Sequence, residues 1–380
     1  MPSNFIKNIE IEVLRAIAIL FVVLHHVPVL FKHQPILPYW FESNFGFWTG
    51  VDLFFVISGF LICRSLMPIY DNKSGVKGII TKYAIKRIFR ILPAAIFWVL
   101  LSLLFSVILP INNTYPSLLT LFNDAIAALL HFSNFYYAYC LDTRQMGELC
   151  SNPQPLGPFW SLSLEEQFYI LLPIFMIFTP RGIFIAFLIS IITLGFFWHR
   201  PILGFGWYAR IDGLLWGVFL AHISVVRTKL SQILFQMKYD WPRWLANLIL
   251  FVFLAYLAKV GGASLSGLHQ TWTPAISCVS LVSAVLVFFA SLDRGYLFKT
   301  GFLTHVMAKI GARSYSIYLC HTPILIASIV LIDYLYLPSE FHGTALVCLS
   351  FFLIAIATEF THQFIEKPTR NYGVSLAAKF

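Results

Sequence analysis

The stretch Glu12-Val13-Leu14-Arg15-Ala16-Ile17-Ala18-Ile19-Leu20-Phe21-Val22-Val23-Leu24-His25-His26 decides the fold class, because it is apolar enough for a bilayer yet carries ionisable groups at both ends. At about 100° per helical residue, the eleven steps from Arg15 to His26 close three turns. Both side chains therefore fall on one face, roughly 16 Å apart along the axis. Ionisable groups at membrane depth are expensive, so a helix that carries them points them at a partner, a cavity or a substrate. The pair is thus a functional claim, and the helix a membrane span.

The rest of the chain agrees. Of 380 residues, 59% are hydrophobic and 11% charged, against roughly 25% charged in an ordinary soluble domain. The fold class expected is all-α, a polytopic integral membrane protein. Apolar runs near the ~20 residues that cross a bilayer fall at 11–31, 46–63, 88–109, 160–178, 182–199, 207–223, 244–260, 273–291, 314–335 and 343–364, about ten helices. Segment 116–138 is interrupted by Asn123, Asp124, His131 and Asn134 and reads as interfacial or re-entrant. The first apolar stretch carries two histidines and no small-residue cleavage site, so it reads as a retained helix.

Lys and Arg gather at Lys7 and Arg15, from Arg64 to Arg90, at Arg181, from Arg227 to Arg243, from Arg294 to Arg313 and from Lys367 onward, all on one side of this scheme. Lys32, Arg144, Arg200, Arg210 and Lys259 fall on the other. Basic loops stay inside, which puts both termini in the cytoplasm and assigns the net charge of +9 to topology, not to nucleic acid. Residues 1–370 form one transmembrane domain in this reading, with 110–159 an extracytoplasmic loop and 371–380 a short cytoplasmic tail. Cys140 and Cys150 lie in that loop and could pair in an oxidising compartment. Cys63, Cys278, Cys320 and Cys348 show no metal spacing and read as small packing residues, and no metal site is expected.

Several polar residues have both a bland and a chemical reading. Gly50, Ser58 and Gly59 permit close helix approach. Asp52, near one end of the second span, suits a salt bridge, a helix cap or catalysis. Arg87 and Arg90 are an (i, i+3) pair on one helix face, either a basic anchor at the headgroups or a phosphate clamp. Glu165 and Glu166 open the fourth span, where acids suit the helix dipole. They point about 100° apart, and Glu165 is the one expected to face the interior. Arg210 and Asp212 open the sixth span as an intramembrane ion pair or a substrate contact. His321 is a packing histidine or a ligand contact, and Glu359, His362 and Glu366 form an inner-face charge lock.

Taken together, these fragments resemble the acyltransferase-3 membrane acylases that modify bacterial surface polysaccharides such as the O-antigen of lipopolysaccharide. The resemblance runs from about residue 8 to residue 370. It rests on Arg15 and His26, on Gly50-Val51-Asp52 through Ser58-Gly59-Phe60, and on Arg87 and Arg90. Trp160-Ser161-Leu162 with Glu165, Ser314 to His321, and Glu366-Lys367-Pro368 complete it, in the family's order. Many members have a histidine just before the Trp-Ser-Leu run, where this chain has Gly157-Pro158-Phe159. Many also have a C-terminal esterase-like domain, which these residues do not include, so transfer is expected within the membrane domain or with a partner protein.

The resemblance implies an O-acyltransferase of the bacterial inner membrane. It would move an acyl group, acetyl by default, from cytoplasmic acetyl-CoA to a hydroxyl of a surface polysaccharide or lipid-linked sugar outside. His26 would be general base or acyl carrier, Arg15 a partner for donor phosphate or cavity charge, and Glu165 or Asp52 would orient the histidine or bind acceptor. Arg87, Arg90, Arg313 and His321 would hold acyl-CoA, while Trp160, Tyr169, Arg210 and Asp212 would meet the acceptor. Without the ordered motifs, buried charge would suit a transporter or flippase for a lipid-linked sugar or small anion equally.

Overall fold

A computed structural model describes residues 8–27, 45–71, 75–109, 115–200, 205–223, 241–265, 274–334 and 339–380. Lys7, Lys32, Lys73, Arg227, Lys229 and Lys238, part of the charge pattern above, lie outside the described residues. Its longer helices are α1 (Ile9–His26), α2 (Gly50–Leu66), α3 (Val76–Ile108), α4 (Leu118–Leu129), α5 (Ser133–Asp142), α6 (Phe159–Phe178) and α7 (Arg181–Gly195). They continue with α8 (Asp212–His222), α9 (Trp241–Leu265), α10 (Ala275–Ser291), α11 (Phe302–Ala312), α12 (Ser314–Tyr334), α13 (Ser339–Phe360) and α14 (Lys367–Ala377). Among the described residues the only β-type pairing is an isolated bridge between Met146 and Cys150.

Among the described residues six segments are long and apolar enough to cross a bilayer: Phe47–Tyr70, Val76–Ile108, Phe159–Phe178, Trp241–Lys259, Ser314–Tyr334 and Gly343–Ala377. α4, α7 and α10 are apolar but shorter. α1, of 18 residues, opens with Asn8 accepting from the Ile11 amide at 2.9 Å. Its Glu10 reaches across the molecule to accept from the Gly295 and Leu297 amides at 2.7 and 2.8 Å. The ion-bearing start of α1 is thereby fixed to a distant turn.

α2 is the centre of the bundle, and glycines set its distance from α8. A Cβ on Gly59 would stand 2.2 Å from the Leu214 carbonyl oxygen, and one on Gly217 2.2 Å from that of Val56. Only backbones without side chains at these points can approach so closely, the general mode of helix pairing in lipid. Ser58, grouped by sequence with those small residues, instead turns away and donates to Glu165.

Three departures from the sequence reading matter for the site. The expected span 207–223 is broken: a helical turn at Phe205–Tyr208 precedes α8, which begins only at Asp212. Non-helical backbone at membrane depth is tolerated where it lines a cavity, and here the break delivers Arg210 to one. α3 begins at Val76 instead of 88 and runs 33 residues, about 50 Å at 1.5 Å per residue. Its basic first third continues the apolar span as one rod. Finally, α13 runs through a π-turn at Thr361–Glu366 into α14. Glu366 there bonds Ser316 at 2.7 Å and His362 at 3.1 Å, while Thr361 accepts from the Trp98 indole at 3.1 Å.

The interrupted segment 116–138 lies in two short helices, α4 and α5, that turn at His131, where φ is +54°. Cys140 and Cys150 are joined by a disulfide across this region. Asp124 ties the two arms together, accepting from Tyr137 at 3.1 Å and from the Ser151 hydroxyl. Of the free cysteines, Cys63 and Cys320 are buried packing residues as expected, whereas Cys348 is exposed.

Candidate active site

Among the described residues two neighbouring cavities share Val51 and Tyr318 in their linings. The smaller, about 80 Å³, is lined by Arg15, Arg87, Arg90, Ser58, Glu165 and Tyr169 among others. The larger, about 570 Å³, is lined by His25, His26, Trp48, Trp160, Trp207 and Arg210 among others. Both ends of the opening α1 stretch therefore face the interior, Arg15 toward the arginine chamber and His26 toward the tryptophan chamber.

In the arginine chamber the polar groups are held from several helices. Glu165 accepts from Ser58 of α2 at 3.1 Å and from Tyr169, one turn along α6, at 2.6 Å. The Arg87 guanidinium lies over the Tyr169 ring at 4.9 Å and the Tyr83 ring at 5.7 Å. Arg15 lies 3.4 Å from Glu12. Three guanidiniums around one fixed carboxylate leave the chamber net positive.

In the tryptophan chamber His26 Nδ1 is 2.8 Å from the Val22 carbonyl. A carbonyl only accepts, so Nδ1 carries the hydrogen and Nε2 keeps a lone pair. The His26 ring lies 5.0 Å from that of His321, edge to face. His321 is wholly buried, its Nδ1 2.8 Å from the Tyr318 carbonyl, and its Nε2 has no partner among the described residues. Tyr318 stands between the chambers, donating to the Pro158 carbonyl at 2.9 Å and sharing a short hydrogen bond with Ser161.

Several expected assignments move. Arg210 and Asp212 do not pair with each other: Arg210 Nε lies 3.4 Å from Asp52, whereas Asp212 is bound by Arg200 and, at 2.6 Å, by Ser277. Positions i and i+2 at a helix start face different ways, and the break before α8 separates them further. Asp52 and Asp212 line neither chamber. Tyr169 is not beside Trp160. Nine steps along α6 is two and a half turns, or half a circle, so the two rings enter different chambers. Arg313 also leaves the donor group, because Glu359 takes its guanidinium at 2.5 and 3.0 Å on an exposed face. His321 touches His26, not the arginine chamber. Among the described residues the Val22 carbonyl, not a carboxylate, holds the His26 Nδ1.

The sequence reading missed Trp48 and Trp207. Their only local signal was position: Trp48 just before the second span's glycine, and Trp207 just before Arg210.

The chain matches the family model described as "Acyltransferase domain" over residues 8–360. It belongs to the acyltransferase-3 family. Among similar proteins, a provisionally named O-acetyltransferase of Staphylococcus aureus (strain COL) is 28% identical over 95% of this chain and 57% of its own length. The peptidoglycan O-acetyltransferase of Listeria monocytogenes is 25% identical, with 96% and 56% covered. A protein of Bacillus subtilis (strain 168), provisionally named a peptidoglycan O-acetyltransferase, is 27% identical, with 95% and 54% covered. The chain thus spans somewhat over half the length of the curated relatives it matches. No solved structure matches it. The family and the apolar helices together make the chain a multi-pass membrane protein of the acyltransferase-3 family.

Proposed function

We propose that this acyltransferase moves an acetyl group from acetyl-CoA to a hydroxyl of a surface glycan, with donor and acceptor entering opposite ends of the bundle. In this reading both termini and the arginine chamber face the cytoplasm, about ten segments cross the bacterial cytoplasmic membrane, and the disulfide-bonded region lies outside. The observation that carries it is the His26 imidazole, its Nδ1 held by Val22 and its Nε2 lone pair left for the larger chamber.

Arg15, Arg87 and Arg90 supply the charge that donor phosphates need, and planar forks match phosphate oxygens. The thioester passes Val51 and Tyr318 into the larger chamber. There His26 Nε2 takes the proton of the acceptor hydroxyl as its oxygen attacks the thioester carbonyl. The carbon–sulfur bond then breaks and the imidazolium returns the proton to the leaving thiolate. The products are an acetate ester and free CoA. Glu165, already bonded to Ser58 and Tyr169, offsets the arginine charge on the donor side. The relatives' names put peptidoglycan beside O-antigen-type polysaccharide as an acceptor class.

The test is incubation of the purified protein in nanodiscs with labelled acetyl-CoA and glycan. Labelled glycan appearing with stoichiometric free CoA supports transfer. Glycan that crosses a proteoliposome membrane while acetyl-CoA stays intact would make the protein a flippase instead.

A further inference from the structure

Arg210 is buried to 1% exposure, yet Nε, NH1 and NH2 form no hydrogen bond among the described residues. Its faces are covered instead. The guanidinium carbon lies 3.8 Å from the Trp207 ring centroid, 4.9 Å from Trp160 and 5.2 Å from Trp48. Three indoles hold the cation by their negative faces and block stacking from above and below. What remains for a ligand is the edge. The nearest approach of Asp52 is to Nε, at 3.4 Å and from outside the chamber lining, and the buried NH1/NH2 fork has no hydrogen-bond partner among the described residues, which makes it the group left for a ligand.

The surroundings narrow the ligand further. Arg210 is one of the residues that line the larger chamber, and among the described residues no Asp or Glu shares that lining. Like-charge repulsion on a negative ligand at Arg210 therefore comes from outside the lining, from Asp52. A fork of two parallel N–H groups fits a planar carboxylate. One guanidinium carries a single positive charge, and Asp52 already offsets part of it, so the site suits a monoanion better than a phosphate dianion. The same indoles, with Tyr208 5.3 Å from Trp160, offer the apolar surface that the C–H face of a pyranose needs.

We propose that the tryptophan-boxed Arg210 fork is a carboxylate subsite, so that the acceptor of this enzyme is an acidic sugar carrying a free carboxyl group. This deepens, and rests on, the assignment of the larger chamber to the acceptor glycan.

The decisive measurement is equilibrium binding, which needs no acyl transfer. The full-length protein in nanodiscs is titrated with cellobiuronic acid and with cellobiose, two sugars of equal size that differ by one carboxyl group. Calorimetry and quenching of indole fluorescence serve as readouts. The acid is expected to bind at least about tenfold tighter, with a preference that shrinks as salt rises. Arg210→Gln should erase that preference while cellobiose affinity holds. Asp52→Asn should move it the opposite way, tightening the acid several-fold, because the competing carboxylate is gone. Equal affinity of the unaltered protein for the two sugars overturns the proposal without calling on any variant. A preference for acid in a protein that transfers no acetyl keeps the subsite and removes the enzyme. Transfer with no acid preference does the reverse.

Discussion

The two chambers differ in what fills them and in how their polar groups are held. The arginine chamber is about 80 Å³, and its carboxylate, Glu165, already has two hydrogen-bond partners. The tryptophan chamber is about 570 Å³, and of the polar groups lining it, among the described residues, His26 is bonded only through Nδ1 and Arg210 is packed against indoles without a hydrogen bond. A small chamber with its carboxylate bonded on both oxygens fixes where that charge sits. A roomy cavity with open nitrogens leaves chemistry and recognition to a ligand. The difference suits a thin donor arm on one side and a bulky acceptor on the other.

If that division holds, substitutions should separate cleanly by chamber. The largest effect belongs to His26→Ala, which should lower acetyl transfer by about 10²–10⁴-fold, the usual worth of a positioned general base. Binding of acetyl-CoA should stay, and near-normal transfer by this variant would strip His26 of the role. Next come Arg87→Lys and Arg90→Lys, each expected to raise the acetyl-CoA KM by about tenfold or more through loss of a charge-assisted fork. The KM for the glycan should not move, so a matching rise there would erase the boundary between the chambers. Trp207→Ala should show the mirror image, an acceptor KM about three- to tenfold higher and an unchanged donor KM, in line with the loss of one aromatic contact. The smallest change is expected for Arg313→Gln, under about twofold in either constant, because its partner Glu359 lies on an exposed face and such pairs contribute little. A strong donor defect in Arg313→Gln would return that residue to the donor site.

Much of the architecture was readable in advance because membrane helices advertise themselves locally. Apolar length marked each of the six long segments, and polar interruptions marked 116–138 as something other than a span. The (i, i+4) rule anticipates that Glu165 and Tyr169 share a face, and the eleven-residue spacing that Arg15 and His26 do. Other assignments failed where the answer lay across the molecule. Adjacent Arg210 and Asp212 looked like a pair, but each found a nearer partner, Asp52 on α2 and Arg200 at the end of the α7 connection. Arg313 looked like a third phosphate ligand until Glu359, on α13, claimed it. Tyr169 looked like a companion of Trp160 because both were read as outer-face aromatics, although helical geometry sends them to opposite sides.

The sequence by itself determined that the chain is helical, apolar and built to carry a few ionisable groups at depth, and it determined which residues share a helix face. Those properties depend on residues within four positions of one another. Only the tertiary structure decided that two chambers exist, that Tyr318 divides them, and that Trp48, Trp160 and Trp207 converge on Arg210. A cavity is the space that packed helices fail to fill. Its walls come from contacts such as Gly59 on Leu214, between residues far apart in the chain, and no local period encodes them.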